Sequence, residues 1–164
     1  MMWNFHPTSK LRRFGSRAGS AMLEFALGSG ILVTIFVSTF QYGYFFYQYN
    51  LLVNAVNNGA HFAAMQIYDT NTSTPTTAWT TAVQKMVLYG DPTGGSSTLQ
   101  VKNLTTGNIV ITVGSTGTGS TFTPTSMTVA ITGYTIDGVT GKYVLTGKPA
   151  VTYPFQSLYC PDGC

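Results

Sequence analysis

The longest apolar run of the chain lies near its N-terminus, over residues 20–40. Apart from small residues and one glutamate, its 21 positions are hydrophobic. A helix of this length measures about 30 Å at 1.5 Å per residue, which matches the hydrocarbon core of a bilayer. The pattern therefore predicts a membrane anchor over 20–40.

Beyond residue 40 the apolar pattern continues but acquires a polar stripe. Amide and imidazole side chains recur at spacings of three and four residues: Asn50, Asn54, Asn57, Asn58 and His61. Apolar residues lie towards the other side: Leu52, Val53, Val56, Ala60, Ala63, Ala64 and Ile67. This helical period predicts one long helix over 20–68, amphipathic after the anchor.

A change of composition at Asp69 predicts the start of a second, Thr-rich domain over 69–164. Thr74 before Pro75 is typical of an N-cap followed by proline in the first turn, and an apolar stripe then extends towards Gly90. These signals predict a short helix over 75–89.

After residue 97 the period changes to two. Short runs rich in β-branched and aromatic residues, bounded by turn residues, predict strands over 99–104, 108–113, 125–132, 142–146 and 149–153. The simplest assembly is a small antiparallel sheet. The predicted fold class is therefore α+β, with a long N-terminal helix, a short helix and a small antiparallel β-sheet domain.

Charged residues are few and unevenly distributed. They make up 8% of the chain, against about 25% in ordinary soluble domains. Residues 1–19 hold four cations and no acid, whereas residues 20–164 hold four scattered lysines and five acids. Scattered lysines form no sustained basic face, so we expect no nucleic-acid partner. Of the 26 threonines, 23 follow residue 69 and supply the hydroxyls that solvate the second domain.

The basic segment in front of the anchor predicts a cytoplasmic N-terminus and an exported body. A cleaved secretory signal peptide has the same order of basic and apolar segments. Three features disfavour a signal peptide: the apolar run is long, it contains Glu24, and residues 39–50 after it include no small-x-small cleavage site. A plain uncleaved anchor is the other alternative.

Residues 17–25 (RAGSAMLEF) carry the most specific motif. Gly19 ends the basic leader, and Glu24 and Phe25 follow inside the start of the apolar helix. An ionised carboxylate in a bilayer costs at least about 2.5–3.5 kcal/mol, so it is retained where a partner or a function compensates. The alternative is a glutamate near the interface that snorkels or is protonated.

This motif resembles the class III leader of type IV pilins, and more narrowly that of the Flp or Tad subclass. The resemblance implies that a prepilin peptidase removes the leader 1–19 between Gly19 and Ser20, which makes Glu24 the fifth mature residue. Phe25 stands where major Flp pilins more often have tyrosine. In the family this carboxylate faces the α-ammonium of a neighbouring subunit, so Ser20, Glu24 and Phe25 are the expected assembly residues.

Residues 54–64 (NAVNNGAHFAA) narrow the resemblance to TadE-like proteins, which are minor pilins or pseudopilins of the Tad secretion system. Gly59 and Ala60 match the corresponding family stretch, whereas Asn58 and His61 replace charged residues. We expect His61 to pack rather than to bind a metal, because no second ligand lies at metal-binding spacing nearby.

The two cysteines, Cys160 and Cys164, enclose Pro-Asp-Gly near the C-terminus. In an exported body such a pair can close a tight structural disulfide, and its spacing does not fit a Cys-x-x-Cys redox pair. Free thiols are the alternative. So short a loop would mainly hold the C-terminus in place.

Enzymatic signatures such as Gly-x-Ser-x-Gly do not occur, and we expect neither an enzyme nor a cofactor or metal. The resemblance implies a type IVb pilus subunit, most simply a TadE-like minor pilin assembled through its helix into an extracellular filament for adhesion. The expected partners are other pilin subunits, the prepilin peptidase, the inner-membrane assembly platform, and membrane lipid before assembly.

The expected location follows from these partners: a single pass through the inner membrane, then the pilus at the cell surface. Major Flp pilins are mostly little more than the helix, so the body over 69–164 favours the minor class. The alternatives are a major pilin bearing a globular domain, and an uncleaved single-pass membrane protein with a β-rich binding module.

Overall fold

The computed structural model of the chain describes residues 1, 17–96, 98–138 and 141–161. Most of the predicted leader, and Cys164, lie outside the described residues. The chain forms two compact units, Met1–Phe40 and Gln41–Cys164. The architecture is two helices followed by two small antiparallel sheets, which confirms the predicted α+β class.

The first helix, α1, comprises Arg17–Met65, whereas the sequence pattern predicted a helix over 20–68. It ends three residues early because Tyr68 pairs instead with the C-terminal segment. The Tyr68 amide donates to the Leu158 carbonyl at 3.1 Å, and the Cys160 amide donates to the Tyr68 carbonyl at 2.9 Å. This parallel bridge takes Tyr68 out of the helix.

The second helix, α2, comprises Thr77–Tyr89. Its N-cap is Thr76, whose hydroxyl accepts a hydrogen bond from the Trp79 amide at 3.3 Å, so the prediction of Thr74 as the cap was wrong. Gly90 ends the helix in the left-handed conformation with φ 71°, as glycine does at this position in many helices.

Helices α1 and α2 approach each other closely at Gly59. A Cβ atom built there would overlap the Cγ2 methyl of Val87. Glycine therefore lets the buried face of α2, which includes Val83 and Val87, lie directly against the backbone of α1.

The larger sheet contains three antiparallel strands in the order β1-β2-β5. The strands are Ile109–Thr116 (β1), Thr123–Ile131 (β2) and Ala150–Pro154 (β5). Strands Tyr134–Asp137 (β3) and Lys142–Leu145 (β4) pair with each other as a separate two-stranded hairpin. The chain thus builds two sheets where one was predicted.

Two details of the strand prediction were wrong. Residues 99–104 form turns rather than a strand. Val101 and Leu104 are buried there, each between exposed or partly exposed turn residues. Strand β3 was not predicted, because its alternation of buried Tyr134 and Ile136 with Thr135 and Asp137 extends over only four residues. Its partner β4 was predicted.

The core of the second unit is built around Tyr68, whose side chain is fully buried. Its ring packs on those of Trp79, Phe122 and Tyr159, with centroids 5.8, 6.0 and 6.4 Å away. The phenol donates to the Thr72 carbonyl at 2.7 Å, and burial raises the pKa of Tyr68. The C-terminal segment, α2 and the end of α1 are therefore joined at one residue.

Candidate functional site

The residues of the pilin-like motif lie at the start of α1, where residues 19–25 are exposed. Phe25 is 75% exposed, and the leader residue Gly19 has open space around it among the described residues. Ser20 and Glu24 are four residues apart, so they lie on the same side of the helix. The cleavage and assembly roles of these residues stay predictions.

Glu24 forms no ion pair with the side chains of residues 19–96, 98–138 and 141–161, which the structure describes. The ion pair found in that part of the chain joins Lys142 Nζ to Asp137 Oδ1 at 3.4 Å, and both side chains are largely exposed. A carboxylate at the start of an apolar helix thus has no compensating charge within the described residues. A compensating cation has to come from elsewhere if this segment enters lipid.

In the described part of the chain, one helix, Gly19–Met65, is long and apolar enough to cross a membrane, and its most apolar window is entirely unburied. Four of its hydroxyl groups are satisfied within the helix; of these, Thr34 donates to the Gly30 carbonyl at 2.8 Å, and Ser38 to the Thr34 carbonyl at 2.8 Å. Ser29 and Thr39 bond in the same way. These residues therefore expose no unsatisfied hydroxyl donor.

Gly28, Gly30 and Gly43 lie within α1, where a glycine can either permit close contact with another helix or loosen the helix locally. The helix is unbroken at all three positions, so it is not loosened there. A Cβ at any of them would meet no described atom within 4 Å. Their surfaces are free for contact with another helix.

Exposed aromatic rings surround α1 just beyond the apolar run. Tyr42, Tyr44, Phe46 and Tyr47 are 62%, 46%, 68% and 60% exposed. At about 100° per residue, Tyr42 and Phe46 lie within about 40° of each other and Tyr47 and Tyr44 lie further round, so the four rings span about 200° of the helix circumference. We call them the aromatic collar.

The hairpin β3–β4 covers one side of α1 at the level of this collar. Tyr143 of β4 packs edge-to-face on Phe45, with ring centroids 4.4 Å apart. At the turn, a Cβ built on Gly138 would overlap the side chain of Gln41. The turn of the hairpin therefore lies beside Gln41, and its strands extend along the following two turns of α1.

A polar cleft of about 90 Å³ lies where α1 meets Tyr134. The Gln48 amide donates to the Tyr44 hydroxyl at 3.1 Å, and the Tyr134 hydroxyl donates to the Lys102 carbonyl at 2.8 Å. Burial is the main cause that raises the pKa of Tyr134, and the nearby Tyr44 and Asp137 raise it further. Gln48 Oε1 is buried without a hydrogen-bond partner among the described residues, so an occupant would have to donate a hydrogen bond.

An apolar groove of about 380 Å³ also opens between α1 and the hairpin. Aromatic and aliphatic side chains line it: Tyr42, Phe45, Phe46, Tyr49, Ile136, Tyr143 and Leu145. We call it the aromatic groove. The collar and the groove together give the second unit a continuous apolar surface next to the residue at which it begins, Gln41.

Comparison with known families identifies the helix that carries these features. Residues 19–61 match the family model described as TadE-like protein. The N-terminal helix is TadE-like. The match begins at Gly19 and confirms the resemblance found in the motif; this family is a structural component of the Tad pilus.

The TadE-like match covers 43 of the 164 residues and ends inside α1, so the sheets lie outside it. No curated protein and no solved structure matches the chain. The likeness to this family is therefore confined to the helix, and the body is described by its own fold.

The second half of the TadE-like helix binds the three-stranded sheet through its polar stripe. The Tyr153 hydroxyl of β5 donates to Asn57 Oδ1 at 2.8 Å, and the Tyr153 ring packs edge-to-face on His61 at 5.4 Å. The opposite side, including Leu52 and Val56, is buried as predicted, whereas Ile67 lies beyond the helix end and is 48% exposed.

His61 therefore makes a ring contact in this TadE-like segment, as the sequence predicted. Among the described residues, no group of three or more His, Cys, Asp or Glu side chains could hold a metal ion. Cys160 is disulfide-bonded, but Cys164 lies outside the described residues, so the pairing of these two cysteines stays a prediction.

Proposed function

We propose that this chain is the precursor of a TadE-like minor pilin, anchored in the inner membrane by residues 20–40 and then assembled through α1 into an extracellular filament. The observation that carries the proposal is an exposed apolar helix with one uncompensated carboxylate, Glu24, inside the TadE-like match. Such a surface is stable in lipid or against other helices, but not in water.

Removal of the leader between Gly19 and Ser20 would supply the missing cation. The new α-ammonium of Ser20 on one subunit would pair with Glu24 of its neighbour, and both charges would lie in an apolar surrounding. A buried charge without a partner is strongly unfavourable, so this pair would favour one register between subunits. Phe25 would pack beside it.

The partners in this proposal are other pilin subunits, the prepilin peptidase and the inner-membrane assembly platform, with an orientation that leaves the N-terminus in the cytoplasm. The body would decorate, prime or cap the filament and contribute to surface attachment. It would act without catalysis. Its size relative to the helix supports a minor rather than a major subunit.

Mass spectrometry of membrane-extracted protein tests the leader. In cells with an active prepilin peptidase we expect a mature species that starts at Ser20. A Gly19→Val variant, in which a bulky side chain replaces the residue at the cleavage position, should retain the leader. Intact wild-type protein in such cells would contradict the proposal and favour an uncleaved single-pass membrane protein.

The amount of this chain in sheared filaments distinguishes minor from major subunits. We expect a trace component that co-purifies with filaments made mainly of another pilin. Recovery as the main component would instead identify a major pilin with a globular domain.

A further inference from the structure

The hairpin β3–β4 ends beside the residue that follows the predicted anchor. Gly138 lies directly against the side chain of Gln41, and Tyr143 packs on Phe45 one turn further along α1. Since the anchor is predicted to end at residue 40, the hairpin turn lies at the level of α1 where the chain would leave the hydrocarbon.

Apolar side chains of β4 are exposed at this level. Tyr143 is 52% and Val144 is 63% exposed, although both belong to a folded strand. Lys142 and Asp137 form an ion pair at the turn end of the same strands, so the hairpin carries little net charge there. The aromatic groove adds uncharged surface next to these residues.

The arrangement of the aromatic collar favours lipid over a protein partner. Its four exposed rings span about 200° of the helix circumference, whereas one docked protein would cover only one side and lipid surrounds the helix. Three of the four rings are tyrosines, which have an apolar body and a polar tip and are enriched where a bilayer meets water.

We propose that the hairpin β3–β4 is a second membrane contact, in which Tyr143 and Val144 enter the boundary between lipid headgroups and acyl chains beside the aromatic collar. This inference rests on the proposed function, which places residues 20–40 in the bilayer. The body would then be attached to the membrane at two points before assembly, and its hairpin would have to leave the lipid when the helix is extracted.

Tryptophan fluorescence in vesicles tests the contact. The full chain would carry Trp3→Phe to reduce background, leaving Trp79, which is 3% exposed. Val144→Trp places the probe on the hairpin, and Val110→Trp places a matched probe on β1, where Val110 is 43% exposed. Each protein is reconstituted in phosphatidylethanolamine and phosphatidylglycerol vesicles with and without brominated acyl chains, which quench tryptophan on contact.

We expect the Val144→Trp emission to be shifted to the blue and quenched by the brominated lipid, and the Val110→Trp emission to show neither change. Equal emission and quenching of the two variants would overturn the inference. A blue shift that grows with protein density in the vesicle, without quenching by lipid, would also overturn it and identify a second copy of this chain as the occupant.

An Ile31→Trp variant separates failure of this inference from failure of the proposed anchor. Ile31 lies inside the predicted span and is 65% exposed. Quenching at Ile31→Trp without quenching at Val144→Trp would reject the hairpin contact alone. Absence of quenching at Ile31→Trp would reject the membrane anchor, and the hairpin contact with it.

Discussion

The hydroxyl of Tyr153 donates a hydrogen bond to Oδ1 of Asn57 at 2.8 Å, although 96 residues separate them in the chain. This bond joins the last strand to the middle of the long helix. A Tyr153→Phe variant should lower the free energy of unfolding by about 0.5–1.5 kcal/mol, because it removes the donor but keeps the ring contact with His61. Denaturant unfolding of the chain in detergent measures the change.

A double-mutant cycle with Asn57→Ala isolates this hydrogen bond. The sum of the stability losses in the two single variants should exceed the loss in the double variant, because each single loss includes the same hydrogen bond. Additive losses would show that the two side chains stabilise the fold independently.

Gly59→Ala should destabilise the second unit, because the added methyl overlaps Val87 on α2. Overpacking of this kind costs about 1–3 kcal/mol. Gly43→Ala is the matched control in the same helix: its Cβ meets no described atom, and replacing glycine by alanine inside a helix gains up to about 1 kcal/mol. Unfolding midpoints that shift in the same direction for both variants would contradict the close helix contact.

The raised pKa of Tyr134 predicts a loss of stability in alkaline solution. A pKa above the ordinary value of 10.0 means that the folded state holds the phenol proton more tightly than the unfolded state does. The resulting contribution to the free energy of unfolding is complete below pH 10.0 and is lost as the pH rises through the folded pKa. The free energy of unfolding should therefore fall above pH 10.0. Buried Tyr68 contributes in the same direction.

Tyr134→Phe should make this alkaline decline shallower and cost about 0.5–1.5 kcal/mol at neutral pH, since the Lys102 carbonyl loses its donor. Thr135→Val, in the same strand, changes no ionisable group and should keep the full decline. If the Phe variant declined as steeply as the parent, Tyr134 would not be the source of the effect.

Glu24→Ala should leave membrane insertion intact, because it removes a polar group from an apolar helix. Incorporation into filaments should be strongly reduced, since the partner ammonium would then lack its carboxylate. Alkaline extraction of membranes and immunoblots of sheared filaments measure the two steps. Leu23→Ala, next to it on the exposed helix, is the control; equal incorporation of both variants would remove the assembly role of Glu24.

The sequence predicts those parts of this molecule that depend on local spacing. The motif at Gly19 and Glu24, the helical period of α1 and the glycine cap of α2 each involve neighbours within a few residues. The end of α1 could not be predicted in the same way, because Tyr68 leaves the helix to pair with Tyr159. That competition depends on a contact between distant segments.

The hairpin side of the candidate site was missed for a related reason. The turn over 137–141 and strand β4 carry signals in the sequence, but β3 is too short to show a period. Its position on α1 depends on Gly138 accommodating Gln41 and on Tyr143 meeting Phe45, residues about a hundred positions apart. No periodic pattern reports such a pairing, although the cluster of rings over 42–49 is visible in the sequence.

Each hydroxyl of Ser29, Thr34, Ser38 and Thr39 has its acceptor one turn earlier on its own helix. The outer surface of this segment therefore presents the same chemistry to acyl chains as to neighbouring protein helices. If the segment moves from one to the other, none of these bonds has to be broken or exchanged. For these four residues, transfer from lipid to a filament depends only on shape complementarity and dispersion contacts. Glu24 is then the group whose environment must change.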